Sequence, residues 1–230
     1  CASNMRVPLY RGTRMFDAHA ITISPVAMLA LNASLLAFIG WALWRAEQRL
    51  TPASEWLLLA LMGVFAVSGR VLLDPIPNVQ PVTVIVILTG VHFGASRSIA
   101  LAASIALVSN MILGHGLWTF YQALGWSAAG IFGAMISSRI YSEGSLNITR
   151  LAMASALAAF AFDWIVSISV LHTLSPELLP VYIISGIPFD LLHAAGNVAF
   201  VAWLAMPITD LMTRHSQTPS RTALRELASR

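Results

Sequence analysis

Long apolar runs, separated by short polar or Gly/Pro-containing stretches, make up most of this chain. An α-helix needs about 20 consecutive apolar residues to cross a bilayer, and most of the runs approach or exceed that length. The pattern therefore predicts an all-α integral membrane protein with short connections. We place seven helical segments at Ile23–Trp44, Trp56–Leu73, Val79–Gly94, Ser98–Leu113, Leu117–Ile140, Arg150–Leu174 and Leu178–Met212.

Composition strengthens this interpretation. Apolar residues make up 57% of the chain and charged residues only 10%, whereas charged residues make up about 25% of a typical soluble domain. All 13 basic residues are arginines, which stay protonated and are expected at the membrane surfaces. The single cysteine excludes an internal disulfide or a CxxC site. We expect any function to be carried by the membrane helices and their loops.

The arginines also predict an orientation, because positively charged loops are retained in the cytoplasm. If the C-terminal tail is cytoplasmic, nine of the 13 arginines lie on the cytoplasmic side and four on the outer side, so this orientation is predicted. An odd number of spans would then put the N-terminal arginines outside, so the first helix is either an addition or does not fully cross. The predicted organisation is a polar tail (1–22), an additional hydrophobic helix with its connection (23–55), a six-helix core (56–212) and a basic tail (213–230).

The few polar residues inside the spans are the best candidates for a functional site. Burying a polar side chain in lipid costs free energy unless it is paired or faces a cavity. Asp190, His193 and Asn197 recur at i, i+3 and i+7 in the last segment. At 100° per residue they fall within an arc of roughly 60°. Asp163 and Trp164 lie within the preceding span. These polar side chains therefore cluster towards one side of the predicted bundle.

A second polar face lies on the fifth segment, where Trp118, Gln122 and Trp126 are spaced by four residues. With the C-terminal tail inside, this face, His115, Asp190 and the loop from Asp74 to Pro81 all belong to the outer half of the membrane. This layout is typical of an outward-facing pocket, and aromatic walls with directional hydrogen bonds suit a small-molecule ligand.

Other chemistries remain open for Asp190 and His193. The two side chains can form interhelical hydrogen bonds that fix helix register, or, with His92, His115 or His172, a metal site. An integral-membrane enzyme or a proton-coupled carrier would use them together with Asp163. The chain has no GxxxxGK[ST], HExxH or GxSxG sequence, so neither ATP use through a P-loop nor those hydrolase chemistries are predicted.

Several motifs resemble the substrate-binding S-components of energy-coupling factor (ECF) vitamin transporters. These are Gly69-Arg70, the run from Ile76 to Thr83, Gly90 with Gly94, Ser109-Asn110, Gly114 to Thr119 with Gln122, and Phe189 to His193 with Asn197.

The resemblance covers about residues 56–212. It implies an S-component-like six-helix bundle in a prokaryotic cytoplasmic membrane that captures a water-soluble vitamin or related micronutrient, with a corrinoid as one candidate. It further implies a non-enzymatic transporter subunit without a cofactor or metal, which associates with a transmembrane coupling subunit and two ATPases. The binding residues carried over are Asn78, Gln80, His115, Trp118, Gln122, Trp126, Asp163, Trp164, Asp190, His193 and Asn197.

The partner-docking face departs from the family pattern. The first core helix of the family often carries Ala-x-x-x-Ala, which this helix lacks. Ala60, Gly63 and Ala66 instead recur at every third position and are the docking residues we expect, because small side chains allow close helix approach.

Overall fold

A computed structural model describes residues 26, 55–114, 118–172 and 175–215. Apart from residue 26, the additional helix predicted over 23–44 lies outside the described residues. The N-terminal tail, His115 and the tail beyond residue 215 also lie outside them. The predicted core is therefore covered almost completely.

The described chain is all-α apart from one two-stranded hairpin, which confirms the predicted fold class at this level. The hairpin, β1 (Tyr141–Ser142) with β2 (Ser145–Leu146), turns through Glu143 and Gly144, whose φ angles are both positive at 52° and 75°. Such a two-residue turn matches the twist of the paired strands. The helices are α1 (Glu55–Leu72), α2 (Val82–Phe93), α3 (Ala95–Leu113), α4 (Trp118–Met135), α5 (Ser137–Ile140), α6 (Ile148–Ser167) and α7 (Leu179–His215), with 3-10 turns at Ile168–His172 and Pro176–Leu178.

Three of the described segments are long and apolar enough to cross a membrane: Ala95–Leu113, Ile148–Leu171 and Pro176–Arg214. Two further apolar helices, Trp56–Leu72 and Val82–Phe93, are shorter. The chain is therefore a membrane protein by the length and composition of its helices. Its last helix, α7, has 37 residues and contains Pro188 and Pro207.

Helix boundaries differ from the sequence prediction where local backbone chemistry intervenes. The predicted segment Val79–Gly94 begins only at Val82, after Pro81 at the N-cap, and ends before Gly94, whose φ of 83° breaks the helix. The predicted segment Leu117–Ile140 is interrupted at Ile136, so that α5 is a separate turn. The helix predicted from Arg150 begins at Ile148 instead, because Asn147 accepts a hydrogen bond from the Arg150 backbone amide at 2.9 Å.

Helix α2 lies at the centre of the fold and contacts α1, α3, α4, α6 and α7. Its residues from Val82 to Gly90 are all buried, as expected for a helix that is apolar on every side. Gly90 lies directly on the backbone of α4, where an added Cβ would stand 2.0 Å from the carbonyl oxygen of Gly130. The small residues of α4 thus let the backbones of α2 and α4 approach each other closely.

Candidate functional site

A cavity of about 280 Å³ opens beneath the α1–α2 loop, at one end of the helix bundle. The C-terminal ends of α1 and α6 and the N-terminal part of α4 surround it. Since successive helices run in opposite directions, the loop and these helix ends come together on one side. Its lining residues are Arg70, Leu73, Asp74, Ile76, Pro77, Asn78, Val79, Gln80, Gln122, Phe162, Asp163 and Val166.

Arg70 lies at the inner wall of this cavity with only 8% of its surface exposed. Its Nε donates to Gln80 Oε1 at 3.0 Å, and its Nη2 donates to Gln122 Oε1 at 3.2 Å. Its Nη1 donates to Asn110 Oδ1 at 2.8 Å and to the hydroxyl of Ser109. The guanidinium therefore joins α1, the α1–α2 loop, α3 and α4.

The guanidinium of Arg70 packs on an aromatic ring, which is itself stacked on a second one. The guanidinium carbon lies 5.0 Å from the ring centroid of Trp126, a distance at which a cation is attracted to an aromatic face. Trp126 in turn stacks on Phe162, with centroids 4.6 Å apart. Because Phe162 also lines the cavity, the ring pair connects the floor of the cavity to Arg70.

A second polar network runs inward from Asp163. Asp163 Oδ2 lies 2.9 Å from His193 Nδ1, and His193 Nε2 lies 3.2 Å from Thr83 Oγ1. Trp126 Nε1 donates to Thr83 Oγ1 at 3.3 Å. Since the Thr83 hydroxyl already accepts from Trp126, it can donate to His193 Nε2, and His193 can donate from Nδ1 to Asp163. One direction of donation thus satisfies every member of the chain.

Asn78 closes this network on the cavity side. Its Nδ2 donates to Asp163 Oδ1 at 3.2 Å. Asn78 adopts a left-handed backbone conformation, with φ of 59°, which asparagine tolerates better than most residues. The loop that covers the cavity is therefore tied directly to α6.

Asp190, His193 and Asn197, which share one face of the last helix in the sequence, all contact α6. Trp164 Nε1 donates to Asp190 Oδ2 at 3.1 Å, and Asn197 Nδ2 donates to the Ser155 carbonyl at 3.1 Å. Asp190 and Asn197 do not line the cavity, however. Their contacts fix the register of α7 on α6, which is the interhelical role left open by the sequence.

The carried-over binding residues fall into three groups. Asn78, Gln80, Gln122 and Asp163 line the cavity, as predicted. Trp126 and His193 are fully buried behind it and hold Arg70 and Asp163, respectively. A third group does not line this cavity: Trp118 and Trp164, which are 46% and 50% exposed, Asp190 and Asn197.

The most important residue that sequence reasoning missed is Arg70, which, like the other arginines, is expected from the sequence at a membrane surface. It is buried instead. Thr83, Ser109 and Asn110 were likewise quoted only within motifs and not as site residues. The available signal was the position of Arg70 inside an apolar run, since a charge placed there needs a specific set of partners.

The open possibility of a metal site gains no support from the described residues, among which no group of three His, Cys, Asp or Glu side chains could hold a metal ion. His92, one of the proposed ligands, packs edge-on against Tyr141 at 4.8 Å between ring centroids. That contact lies at the opposite end of α2 from the cavity.

The predicted docking residues lie on a separate surface. An apolar groove of about 460 Å³ runs between α1 and α3 and is lined by Ala60 and Gly63, with Arg97 among its few polar residues. Ala66 corrects the prediction, because it is fully buried in the core and does not line the groove. A repeat of three residues drifts around a helix of 3.6 residues per turn, which turns Ala66 away from the face that carries Ala60.

Comparison with known proteins adds a family but no activity. Residues 50–219 match the model of DUF6580, a family of unknown function. The match covers most of the chain, which therefore belongs to this family. No curated protein and no solved structure matches the chain.

Proposed function

We propose that this member of the DUF6580 family is a substrate-capture subunit of an ECF-type transporter in a prokaryotic cytoplasmic membrane. In this role it crosses the membrane several times through a six-helix core. It binds a water-soluble vitamin or related micronutrient at the outer face and catalyses no reaction itself. It needs no cofactor, since ATP hydrolysis is supplied by partner ATPases.

The observation that carries this proposal is the meeting of separate sequence motifs at one cavity. Arg70 belongs to the first motif, Gln80 to the loop motif, and Ser109-Asn110 and Gln122 to later ones. All four partners accept hydrogen bonds from the same guanidinium. Residues that resemble a binding signature and also meet beside one cavity are expected of a ligand site rather than of general packing.

The volume of the cavity narrows the proposed substrate class. About 280 Å³ is close to the lower end of small-molecule sites. A one- or two-ring heterocycle suits this space, whereas a corrinoid is several times larger. We therefore favour a small ring-bearing micronutrient over cobalamin.

Coupling to a transporter needs a second surface, and the groove between α1 and α3 supplies a candidate. Ala60 is exposed within it, and Gly63 leaves room for a helix to approach closely. We propose that the transmembrane coupling subunit docks on this face. The cavity and the groove are formed by different residues, so capture and coupling can be separated by mutation.

The experiment is purification from native membranes, followed by mass spectrometry of both the bound small molecule and the copurified proteins. The proposal expects one micronutrient together with a coupling subunit and two ATPases. Ala60→Leu should fill the groove and lose the proteins while retaining the small molecule. Ala195→Leu, at an exposed alanine on α7, is the matched control. Absence of both small molecule and partners from the wild-type protein would refute the proposal.

A proton-coupled carrier is the second candidate, favoured by the chain of hydrogen bonds from Asp163 through His193 to Thr83. Asp163 borders the cavity, while His193 and Thr83 are fully buried. This burial supports proton movement more than enzymatic attack on a substrate, which would need access to a nucleophile. Uptake by liposomes that contain this protein alone, driven by a pH gradient, would favour the carrier over the capture subunit.

A further inference from the structure

We infer that the cavity recognises a carboxylate on its ligand through Arg70. This inference rests on the proposed capture of a small molecule and specifies its chemistry. The four hydrogen bonds of the guanidinium go to Gln80, Ser109, Asn110 and Gln122, all of which are neutral acceptors. These bonds orient the cation without neutralising it.

Within the described part of the chain, no carboxylate forms an ion pair with Arg70. The two acidic residues of the cavity lining have other surroundings. Asp163 is bound by His193 and Asn78, and Asp74 is exposed on the loop at the mouth. Among the described residues Arg70 is thus a buried charge that forms no ion pair or hydrogen bond with a carboxylate, and Asp74 acts on it only through a longer electrostatic interaction.

A buried cation without a direct ion pair is unfavourable, because burial removes the water that would otherwise solvate it. The arrangement therefore favours a ligand that brings a negative charge. Arginine is well suited to this role, since its planar N–H groups match the geometry of a carboxylate. Of the five N–H groups, four are directed at the neutral acceptors, and one on Nη2 has no partner among the described residues.

The apolar residues of the cavity lining indicate the chemistry of the uncharged part of the ligand. Leu73, Ile76, Val79, Phe162 and Val166 provide apolar walls beside Arg70. A ring can occupy the space between these side chains with its carboxylate directed at the guanidinium. We therefore expect an aromatic or heteroaromatic carboxylic acid to bind in preference to its uncharged amide.

Benzoate and benzamide are a matched pair of probes, because they share a ring and differ mainly in charge. The experiment measures thermal unfolding of the purified protein in detergent with millimolar amounts of each, at constant ionic strength. A ligand that binds the folded state raises the melting temperature, and the rise continues with the logarithm of ligand concentration above the dissociation constant. Benzoate should raise the melting temperature in this concentration-dependent way and benzamide should not. Equal effects of the two probes, no effect of either, or an effect of inorganic phosphate alone would overturn the inference.

Two variants assign the effect to Arg70. Arg70→Gln should weaken benzoate binding by about tenfold or more, the loss expected for a charge-assisted hydrogen bond. Gln122→Glu keeps the side-chain shape and places a carboxylate beside Nη2, so it should raise the melting temperature and abolish the benzoate response. This second variant keeps the test valid if Arg70→Gln fails to fold. Arg97→Gln, in the groove between α1 and α3, should respond to benzoate as the wild type does.

Failure here is distinguishable from failure of the proposed function. If benzoate is not recognised but a neutral micronutrient copurifies with the protein, capture stands and the carboxylate inference is wrong. If Gln122→Glu responds to benzoate as strongly as the wild type does, the anionic probe binds elsewhere and the inference is also wrong.

Discussion

The imidazole of His193 on α7 lies 2.9 Å from the carboxylate of Asp163 on α6, 30 positions earlier in the chain. His193 is fully buried and Asp163 borders the cavity, so this contact connects the helix interface to the site. On its other side His193 meets Thr83 of the central helix. The imidazole ring of His193 therefore connects α7 to both α6 and α2.

The direction of donation through this ring can be tested with Asp163→Asn. The asparagine has only one carbonyl oxygen, whereas Asp163 accepts from both His193 and Asn78. If the amide group faces His193 and donates to Nδ1, the hydrogen on the ring must move to Nε2. We expect ¹⁵N NMR of the histidine-labelled protein to report this change of tautomer. Asp190→Asn, which retains an acceptor for Trp164, should leave the His193 signals unchanged; a shift there would show that the ring is not controlled by Asp163 alone.

Thr83→Val tests the inner end of the same network. The valine has almost the same shape but leaves the N–H of Trp126 and the Nε2 of His193 without their shared partner. We expect a loss of about 1 to 3 kcal/mol in unfolding free energy, the cost of leaving buried polar groups unpaired.

Thr89→Val is the matched control, because Thr89 is on the same helix, is equally buried and donates only to the backbone of Ile85. Titration with a denaturing detergent compares the two variants. An equal loss in both would assign the effect to the helix and not to the network.

Gly90→Ala tests the close approach of α2 and α4. The added methyl group would stand 2.0 Å from the carbonyl oxygen of Gly130, and a backbone atom cannot move away by changing rotamer. We expect a destabilisation of about 3 kcal/mol or more. Gly186→Ala on α7 meets nothing closer than 3.8 Å and should stabilise by about 0.5 to 1 kcal/mol. Unfolding measured in parallel would contradict this account if Gly90→Ala were tolerated equally well.

Asn78 combines a backbone role with a side-chain role, and two substitutions separate them. Both Asn78→Gly and Asn78→Ala remove the hydrogen bond to Asp163, so both should reduce the amount of copurified small molecule. Only alanine also strains the left-handed backbone, and it should be less stable than glycine by about 1 kcal/mol.

The control for Asn78 is Glu143→Gly in the hairpin. Glu143 has a similar φ of 52° but lies outside the cavity lining. Its replacement should relieve strain without changing capture. Loss of the small molecule in this variant would indicate that any loop change disturbs the protein.

The helices and part of the site were predictable because they depend on local patterns. Apolar runs located α1 to α4, α6 and α7, although α6 ends at Ser167 where the pattern predicted Leu174. The i, i+3, i+7 spacing placed His193 on one face of the last helix with Asp190 and Asn197. Asp190 carries the same signal as His193 yet meets Trp164 away from the cavity. Spacing defines a face of one helix, but the position of the next helix decides what that face meets.

The contacts of Arg70 were even less predictable from the local sequence. An arginine near the end of an apolar run has the sequence pattern of an interfacial anchor, and its burial depends on acceptors 10 to 52 positions away. Apart from the small size of Gly130, nothing in the sequence indicates that the backbone of α2 packs against this residue. These relationships arise from tertiary packing and have no counterpart in local periodicity.

The two prolines of α7 each interrupt the backbone hydrogen bonding of this helix. A proline has no N–H, so Pro188 and Pro207 leave the carbonyls of Ile184 and Trp203 without their helical donors. Hydrocarbon cannot satisfy a free carbonyl, whereas the headgroup region and its water can. The two carbonyls are 19 residues apart, or about 28 Å at 1.5 Å per residue, close to the hydrocarbon thickness of about 30 Å. We therefore expect Ile184 and Trp203 to lie near the two opposite boundaries of the hydrocarbon region.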